Sequence, residues 1–318
     1  METTFTRLVE CKVPIQQAPM GSVSTPDLAV AVADAGGVGS IGAIGMPTPA
    51  LERLITAVVE RTAGVLAVNF LLPDSDPDAV AYAARHVRII DCFWFDPDPA
   101  LINIAHQEGA LVCWQVGSPD EARAAVDAGC DLVVAQGIEA GGHVRGYAPL
   151  TELLPQVIAA VGVPVLAAGG IADRASLLRV LDMGAAGARI GTRFVATTEA
   201  GAHPSYKAAI LDAEVGDTEI TGEFADCPLC ATNPRARVLR ACIDSMHEAG
   251  EPVVGTATFG TATVDVSRGS GMPPGLTASG NVEAMAMYAG DGVAEIASIE
   301  PAAAIVKTLW PEHDPVTT

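Results

Sequence analysis

One histidine is the best candidate for acid–base chemistry in this sequence. His143 comes directly after Gly141-Gly142, in a turn that follows an apolar run ending at Gln136. An imidazole exchanges a proton near pH 7, and the two glycines let a ligand approach the backbone closely. Of the six histidines, it alone follows a predicted strand, and we therefore assign the catalytic role to His143. Glu139 is equally suited to be an acid, a base or a hydrogen-bond brace of this turn.

Two glycine-containing turns could hold an anionic group. Gly169-Gly170 and Gly191-Thr192 each follow a short apolar run and precede a helix-like segment. Such turns expose backbone N–H groups, and the dipole of a following helix favours negative charge there. The Thr192 hydroxyl adds a further hydrogen-bond donor. Two such turns after the last two predicted strands favour a phosphate site over two ordinary tight turns.

Side-chain amides end three other predicted strands. Asn69, Gln115 and Gln136 each close an apolar run, and each carries donors and an acceptor that could contact a polar ligand. The first predicted strand leads into Met20-Gly21. Because the carboxyl ends of parallel strands lie at the same end of a barrel, all these groups are expected to meet there.

Apolar runs alternate with amphipathic runs along the first two thirds of the chain. The strand-like runs cover 14–18, 37–43, 65–70, 87–95, 110–116, 131–136, 163–168 and 188–191. The helix-like runs cover 26–35, 48–62, 77–85, 98–108, 118–128, 149–160, 173–183 and 203–212. Several strand-like runs are continuously apolar, which is typical of parallel strands buried on both faces. Eight strands alternating with eight helices predict an α/β fold of the (β/α)8 TIM-barrel class.

The alternation stops near residue 212. We predict a barrel domain over 1–212 and a cap over 213–318 that lies on one end of the barrel. Within this cap, 236–250 and 283–307 look helical, whereas 251–282 is rich in Gly, Ser, Thr and Pro. The expected cap is therefore largely helical, with a C-terminal helix that packs on the barrel.

The charge balance excludes several classes of partner. The chain has 18 Lys+Arg against 38 Asp+Glu, a formal net charge of −20. Nucleic acid and anionic membrane surfaces need a basic face, so neither is expected as a partner. An anionic ligand must instead be held by backbone N–H groups and a few side chains. Charged residues interrupt every long apolar stretch, and the first residues show no signal-peptide pattern, so we expect a cytoplasmic protein.

The seven cysteines do not predict a disulfide framework, because their number is odd and they are spread along the chain. Cys227 and Cys230 have the C-x-x-C spacing, but no second pair matches them for zinc and no thioredoxin-like unit surrounds them. We interpret both as ordinary thiols. No second histidine or carboxylate stands at ligand spacing from His143, and no metal site is expected.

Five segments together resemble the nitronate monooxygenase (2-nitropropane dioxygenase-like) family of FMN-dependent TIM-barrel oxidoreductases. They are Gln16-Gln-Ala-Pro-Met-Gly21, Val68-Asn-Phe70, Gln136-Gly-Ile-Glu-Ala-Gly-Gly-His143, Ala167-Ala-Gly-Gly-Ile171 and Ile190-Gly-Thr-Arg-Phe194. The resemblance runs in order from about residue 10 to residue 212. Related FMN barrels, namely NADH:quinone reductases and flavin-type enoyl-ACP reductases, share the E-A-G-G-H element. The cap is similar only loosely, at 237–240 and 288–290.

The resemblance implies FMN held non-covalently at the barrel mouth, with its phosphate on the glycine turns and its reactive edge facing His143. The implied FMN-binding residues are Met20, Gly21, Asn69, Gln115, Gln136, Gly141, Gly142, Ala168, Gly169, Gly170, Arg189, Ile190, Gly191 and Thr192. It also implies the oxidation of alkyl nitronates with O2. In that reaction His143 would orient the nitronate or abstract a proton α to a nitro group.

Two other functions stay open at the level of sequence. A reductase of the same fold would take hydride from NAD(P)H and pass it to a quinone or an enoyl thioester, with His143 positioning or protonating the acceptor. A barrel that only binds a phosphorylated ligand is the other alternative. The Gln-Ala-Pro-Met form of residues 17–20 favours the monooxygenase. The oligomeric state stays open, and a homo-oligomer is compatible with the sequence.

Overall fold

Eight parallel strands close into a barrel in the computed structural model, which describes residues 2–43, 45–71, 75–227, 233–259 and 262–311. The barrel strands are β1 (Ile15–Gln17), β2 (Val38–Gly42), β3 (Val65–Leu71), β4 (Ile89–Phe93), β5 (Leu111–Val116), β6 (Leu132–Gln136), β8 (Val165–Ala168) and β9 (Gly187–Ile190). The two-residue strand β7 (Gly142–His143) follows β6 in the chain but lies outside the barrel. The predicted (β/α)8 barrel is confirmed, and all eight predicted strands are present.

Ten α-helices lie in the described part of the first 212 residues, and all of them except α1 and α9 begin within one residue of a predicted start. They are α1 (Thr4–Val9), α2 (Pro26–Asp34), α3 (Thr48–Val59), α4 (Pro77–His86), α5 (Pro99–Gln107), α6 (Pro119–Asp127), α7 (Leu150–Ala160), α8 (Arg174–Asp182), α9 (Thr192–Val195) and α10 (Pro204–Asp212). The side chains of Thr25, Ser118 and Asp173 accept a backbone N–H of the first turn of α2, α6 and α8, respectively. These caps satisfy donors that would otherwise lack a partner in the helix.

Helix α1, which the sequence analysis did not predict, closes the N-terminal end of the barrel. Its Phe5 and Val9 are fully buried, and they pack with inward-facing residues of the barrel such as Val38 and Ile89. A plug at this end leaves the other end, where the strands finish, as the open mouth. This is the end at which TIM barrels carry their active sites.

The outer ring of helices is completed by a helix from the end of the chain. Helix α12 (Ala302–Leu309) packs against α2 and α8, the first and last ring helices. Helix α10 packs instead on two short 3-10 turns of the cap, at 282–284 and 291–295. The predicted helix at 203–212 is therefore present, but it does not take the eighth place of the ring.

The prediction of a largely helical cap is wrong. Beyond residue 212, the described residues contain α11 (Arg240–Glu248) and α12 as α-helices, and 283–301 forms none. Strands β10 (Thr218–Thr221) and β11 (Ala236–Leu239) form an antiparallel sheet with β7. Strands β12 (Val253–Phe259), β13 (Ala262–Ser267) and β14 (Ser279–Gly280) form another. Most β13 side chains are exposed, although apolar and polar residues alternate along 262–267 as they do in a half-buried strand.

Within the described residues, no helix combines the length and the apolar character that crossing a bilayer requires. The same part of the chain contains no group of three His, Cys, Asp or Glu side chains arranged to hold a metal ion.

Candidate active site

A buried ion pair crosses the barrel interior below the mouth. Arg189 of β9 donates through Nη2 to Asp91 of β4 at 2.5 Å, and both side chains are sealed from solvent. The same guanidinium donates to Gln115 Oε1 at 2.9 Å and to Gln16 Oε1 at 3.2 Å. The positive charge of Arg189 is thus paired inside the barrel, away from the glycine turns. Sequence reasoning missed Asp91, although a lone carboxylate in the apolar run 89–93 was a signal.

Two of the predicted amides stand directly above this ion pair. Asn69 Nδ2 donates to Oδ2 and to the main-chain O of Asp91, both at 3.3 Å. Gln115 accepts from Arg189, as described above. Gln136 takes a different position, since its Nε2 donates to the main-chain O of His143 at 2.8 Å. The structure therefore brings Asn69 and Gln115 together on the floor of the mouth, while Gln136 supports the histidine turn.

His143 is held where the barrel meets the cap. Its strand β7 pairs with β11, with His143 opposite Ala236. The imidazole packs edge-on against the Trp94 ring at 5.2 Å between centroids, and tilted against the Tyr288 ring at 5.8 Å. The predicted catalytic residue thus lies at the mouth, between an aromatic wall from the barrel and another from the cap.

Burial lowers the pKa of His143 to about 4. A charged imidazole is disfavoured where water cannot solvate it, so the ring is neutral near pH 7. A neutral imidazole has one N–H donor and one nitrogen that can accept a proton. His143 can therefore act as a base or as a hydrogen-bond donor at physiological pH.

Trp94 is a site residue that the sequence analysis did not single out. It follows β4 directly and is 2% exposed. Its φ of 87° lies in the left-handed region, which is strained for a residue with a large side chain. The Arg145 guanidinium donates to the main-chain O of Trp94 and also pairs with Glu121 at 2.8 Å. The sequence analysis placed Trp94 inside the predicted strand 87–95, and nothing in the sequence indicates this backbone conformation.

The sulfur of Cys227 lies 3.5 Å from His143 Nε2, within reach of an imidazole N–H. Cys227 is disulfide-bonded, so its interpretation as an ordinary free thiol is wrong. Cys230 lies outside the described residues. The spacing of the two cysteines gave no indication that the cap brings Cys227 to the catalytic histidine.

The turn after β8 has the geometry of an anion cradle. Gly169 and Gly170 have φ values of 118° and 67°, which place both in the left-handed region. The backbone N–H groups of Gly170, Ile171 and Thr192 donate to no acceptor among the described residues. Unpaired N–H groups in glycine turns of this kind can attract an anion without any cationic side chain.

The cap lies directly on these turns. Gly290 N donates to Thr192 Oγ1 at 3.0 Å, and Asp291 N donates to the main-chain O of Glu139 at 2.9 Å. Buried Arg237 ties the same region together, because it pairs with Asp291 at 2.6 Å and donates to the main-chain O of Ile138 at 2.8 Å. The loop that carries His143 is thus fixed between the barrel and residues 288–292.

Glu139 is the brace of this loop. Its carboxylate oxygens accept the N–H of Leu150, the first residue of α7, at 2.9 and 3.1 Å. Of the roles considered for Glu139, the structure therefore favours the hydrogen-bond brace.

The turn after β1 meets the turn after β9. Met20 is half-buried, and a Cβ built on Gly191 would lie 3.9 Å from its Sδ. Gly21 has a φ of 55°. Ala168 faces the barrel interior, whereas the Ile190 side chain packs in the outer core between strands and helices. Ile190 can therefore face a ligand only through its backbone.

The comparison with known protein families agrees with this geometry. The family model described as nitronate monooxygenase matches residues 2–89 and 83–312. The chain belongs to the nitronate monooxygenase family. The members of this family are flavoenzymes. The protein is therefore an enzyme of oxidoreductase type.

Individual relatives carry two kinds of name. The nitronate monooxygenase of Pseudomonas aeruginosa PAO1 is 31% identical, over 98% of this chain and 99% of that protein. A Rhodococcus jostii RHA1 protein is 34% identical, over 72% of this chain and 65% of its own length. It is named (3aS,4S,5R,7aS)-5-hydroxy-7a-methyl-1-oxo-octahydro-1H-indene-4-carboxyl-CoA dehydrogenase.

Solved structures share the fold over nearly the whole chain. FabK from Thermotoga maritima superposes with a TM-score of 0.78 and 28% identity, covering 97% of this chain and 95% of that one. Nitroalkane oxidase from Streptomyces ansochromogenes superposes with a TM-score of 0.77 and 29% identity, covering 96% of each chain. Both solved structures thus match this chain across the barrel and the cap.

Proposed function

We propose that the mouth of the barrel binds FMN. The N–H groups of Gly170, Ile171 and Thr192 suit its phosphate, and this cradle supplies donors without a cation, as the acidic chain requires. Asn69 and Gln115 offer polar atoms to the edge of a flat ring. The other predicted contacts, Met20, Gly21, Gln136, Gly141, Gly142 and Gly169, surround the same mouth, which supports the fit.

The proposed activity is the oxidation of alkyl nitronates with O2. Bound FMN would supply the redox chemistry, taking electrons from the nitronate and passing them to O2. The observation that carries this proposal is a neutral, buried His143 at the mouth of a nitronate monooxygenase-family barrel. Its imidazole N–H can donate to a nitronate oxygen, and its other nitrogen can take the proton from the carbon α to a nitro group. Trp94 and Tyr288 would keep water away from this side and contact the alkyl group.

The charge of the molecule supports a small substrate. NAD(P)H and acyl-CoA each carry several phosphate charges, and a net charge of −20 repels such polyanions more strongly than a singly charged nitronate. A nitronate therefore needs only local donors such as His143 to be held.

Anaerobic rapid mixing tests the proposed electron donor. We expect an alkyl nitronate to bleach the flavin absorbance within seconds, and NADH or NADPH to do so far more slowly. The reductase is the second candidate, and the likeness to FabK favours it. Rapid bleaching by NAD(P)H, together with no bleaching by nitronates, would replace the monooxygenase with a reductase. A purified protein without flavin would overturn both.

A further inference from the structure

Two amides on the floor of the mouth each have one end held and the other end open. Asn69 is bonded through Nδ2 and Gln115 through Oε1. The opposite atoms, Asn69 Oδ1 and Gln115 Nε2, have no hydrogen-bond partner within the described chain. Among the fully buried side-chain N and O atoms of the described chain, Arg88 Nε alone lacks a hydrogen-bond partner. Asn69 Oδ1 and Gln115 Nε2 also lack a partner, so they must be accessible to solvent. The two side chains are 3% and 7% exposed, and these atoms are therefore what they present to the mouth.

The buried ion pair decides which end of each amide is open. A guanidinium has donors only, and an ionised carboxylate has acceptors only. The Gln115 atom that meets Arg189 must therefore be its oxygen, and the Asn69 atom that meets Asp91 must be its nitrogen. Turning either amide over would place two donors or two acceptors together inside the barrel, where unpaired polar groups are most unfavourable.

We propose that Arg189 and Asp91 are a positioning pair that makes Asn69 an acceptor and Gln115 a donor towards the bound flavin. This inference rests on the proposed FMN site. The oxidised isoalloxazine ring carries one N–H, at N3, whereas N1, N5 and both carbonyl oxygens are acceptors. Asn69 Oδ1 accordingly selects the N3–H, and Gln115 Nε2 selects an acceptor of the ring. Arg189 thus acts on the cofactor through Gln115, because its own side chain is buried and paired inside the barrel.

A pair of flavins tests this assignment in the apoprotein. FMN and 3-methyl-FMN differ in that the methyl group replaces the N3–H, and their dissociation constants can be measured by fluorescence titration. We expect the wild type to bind FMN at least roughly tenfold more tightly, because 3-methyl-FMN leaves a buried acceptor unpaired. In Asn69→Ala, which removes the acceptor and leaves space for the methyl group, the ratio should fall below about threefold.

The role of the ion pair needs variants that remove both charges together, because removing one leaves a buried unpaired charge. Arg189→Gln with Asp91→Asn gives each amide a partner that can both donate and accept. The size of Asn69 is unchanged and the main-chain O of residue 91 still accepts from it, but the acceptor-only carboxylate is gone. The amide can therefore turn over at a smaller cost, and the preference for FMN should fall to roughly half the wild-type ratio or less. Arg189→Lys is the matched control, because it keeps a donor-only cation beside Asp91 and should keep the wild-type ratio.

Each outcome has a defined meaning. A wild-type ratio near one would overturn the acceptor role of Asn69. A charge-free double variant that prefers FMN as strongly as the wild type would overturn the role of the ion pair. If that variant does not fold, Arg189→Met with Asp91→Leu makes the same comparison, since apolar replacement of a buried ion pair often preserves stability. Failure of the wild type to bind either flavin would refute the FMN site itself.

Discussion

At the scale of the residue, His143 is the side chain on which turnover should depend most. We expect His143→Asn to keep FMN but to lose roughly 10²–10⁴-fold in turnover, the usual contribution of a general acid–base group. Asparagine keeps a polar side chain of moderate size, so the aromatic wall should stay in place. The measurement is steady-state oxygen uptake with an alkyl nitronate. His86→Asn, on the exposed side of α4, is the control and should leave the rate unchanged. An unchanged rate in His143→Asn would make this histidine structural.

The same residue should leave a signature in the pH dependence of stability. Its pKa is about 4 in the folded protein, below the usual value of 6.5, so the unfolded chain binds the proton first. The free energy of unfolding should therefore fall as the pH falls from about 6.5 to about 4, by up to about 3 kcal/mol for this group.

Thermal melts of the wild type and of His143→Asn between those pH values isolate this contribution, because the other titrating groups are common to both. The difference in melting temperature should shift in favour of the variant as the pH falls. A constant difference would mean that His143 has an ordinary pKa.

The residues at the mouth differ in how far the sequence could predict them. Asn69 and Gln115 were predictable because the carboxyl ends of the parallel strands meet at the mouth. His143 was predictable because it lies in the turn that follows another such strand. Trp94 was not, because its role depends on a left-handed backbone that no local pattern of residue types encodes. Cys227 was not either, since it reaches His143 only through the folding of the cap.

At the scale of the element, the turn after β8 is the test of the phosphate cradle. A Cβ on Gly170 would lie 3.3 Å from Glu139 Cβ, and the φ of 67° strains any other residue. We expect Gly170→Val to displace the turn and weaken FMN binding by roughly tenfold or more, while the barrel still folds. The ratio of flavin to protein absorbance and a circular dichroism melt give the two readouts.

The matched control is Gly162→Val, because a Cβ there meets no atom within 4 Å and its φ is ordinary. This variant should keep full flavin content. Full flavin content in Gly170→Val as well would contradict the assignment of the phosphate to this turn.

The elements also show where sequence patterns stop being informative. The barrel strands were predicted because burial on both faces leaves continuous apolar runs such as 132–136. The hairpin of β12 and β13 was not predicted, because 251–282 is rich in Gly, Ser, Thr and Pro and therefore resembles a loop. The position of α12 in the ring of helices could not be predicted from the sequence either, since it depends on contacts of α12 with α2 and α8, which are distant in the chain.

At the scale of the whole molecule, the negative charge should slow the arrival of an anionic substrate. Raising NaCl from about 0.01 to about 0.2 M shortens the Debye length and screens this repulsion. We expect kcat/KM for an alkyl nitronate to rise roughly two- to threefold over that range. The parent neutral nitroalkane is the control and should show no such dependence. A fall in kcat/KM for the nitronate would indicate a local positive field at the mouth that outweighs the net charge.

The position of α12 also matters for how the enzyme is made. Residues 302–309 leave the ribosome long after α2 and α8, yet they occupy the gap between those two helices. Until then a seam runs down the side of the nascent barrel, and the apolar surface that Ile305, Val306 and Leu309 later cover is open to water. Such exposed surface makes an incomplete chain prone to aggregation. All barrel strands are synthesised by residue 190, but this seam stays open to water until the last helix leaves the ribosome.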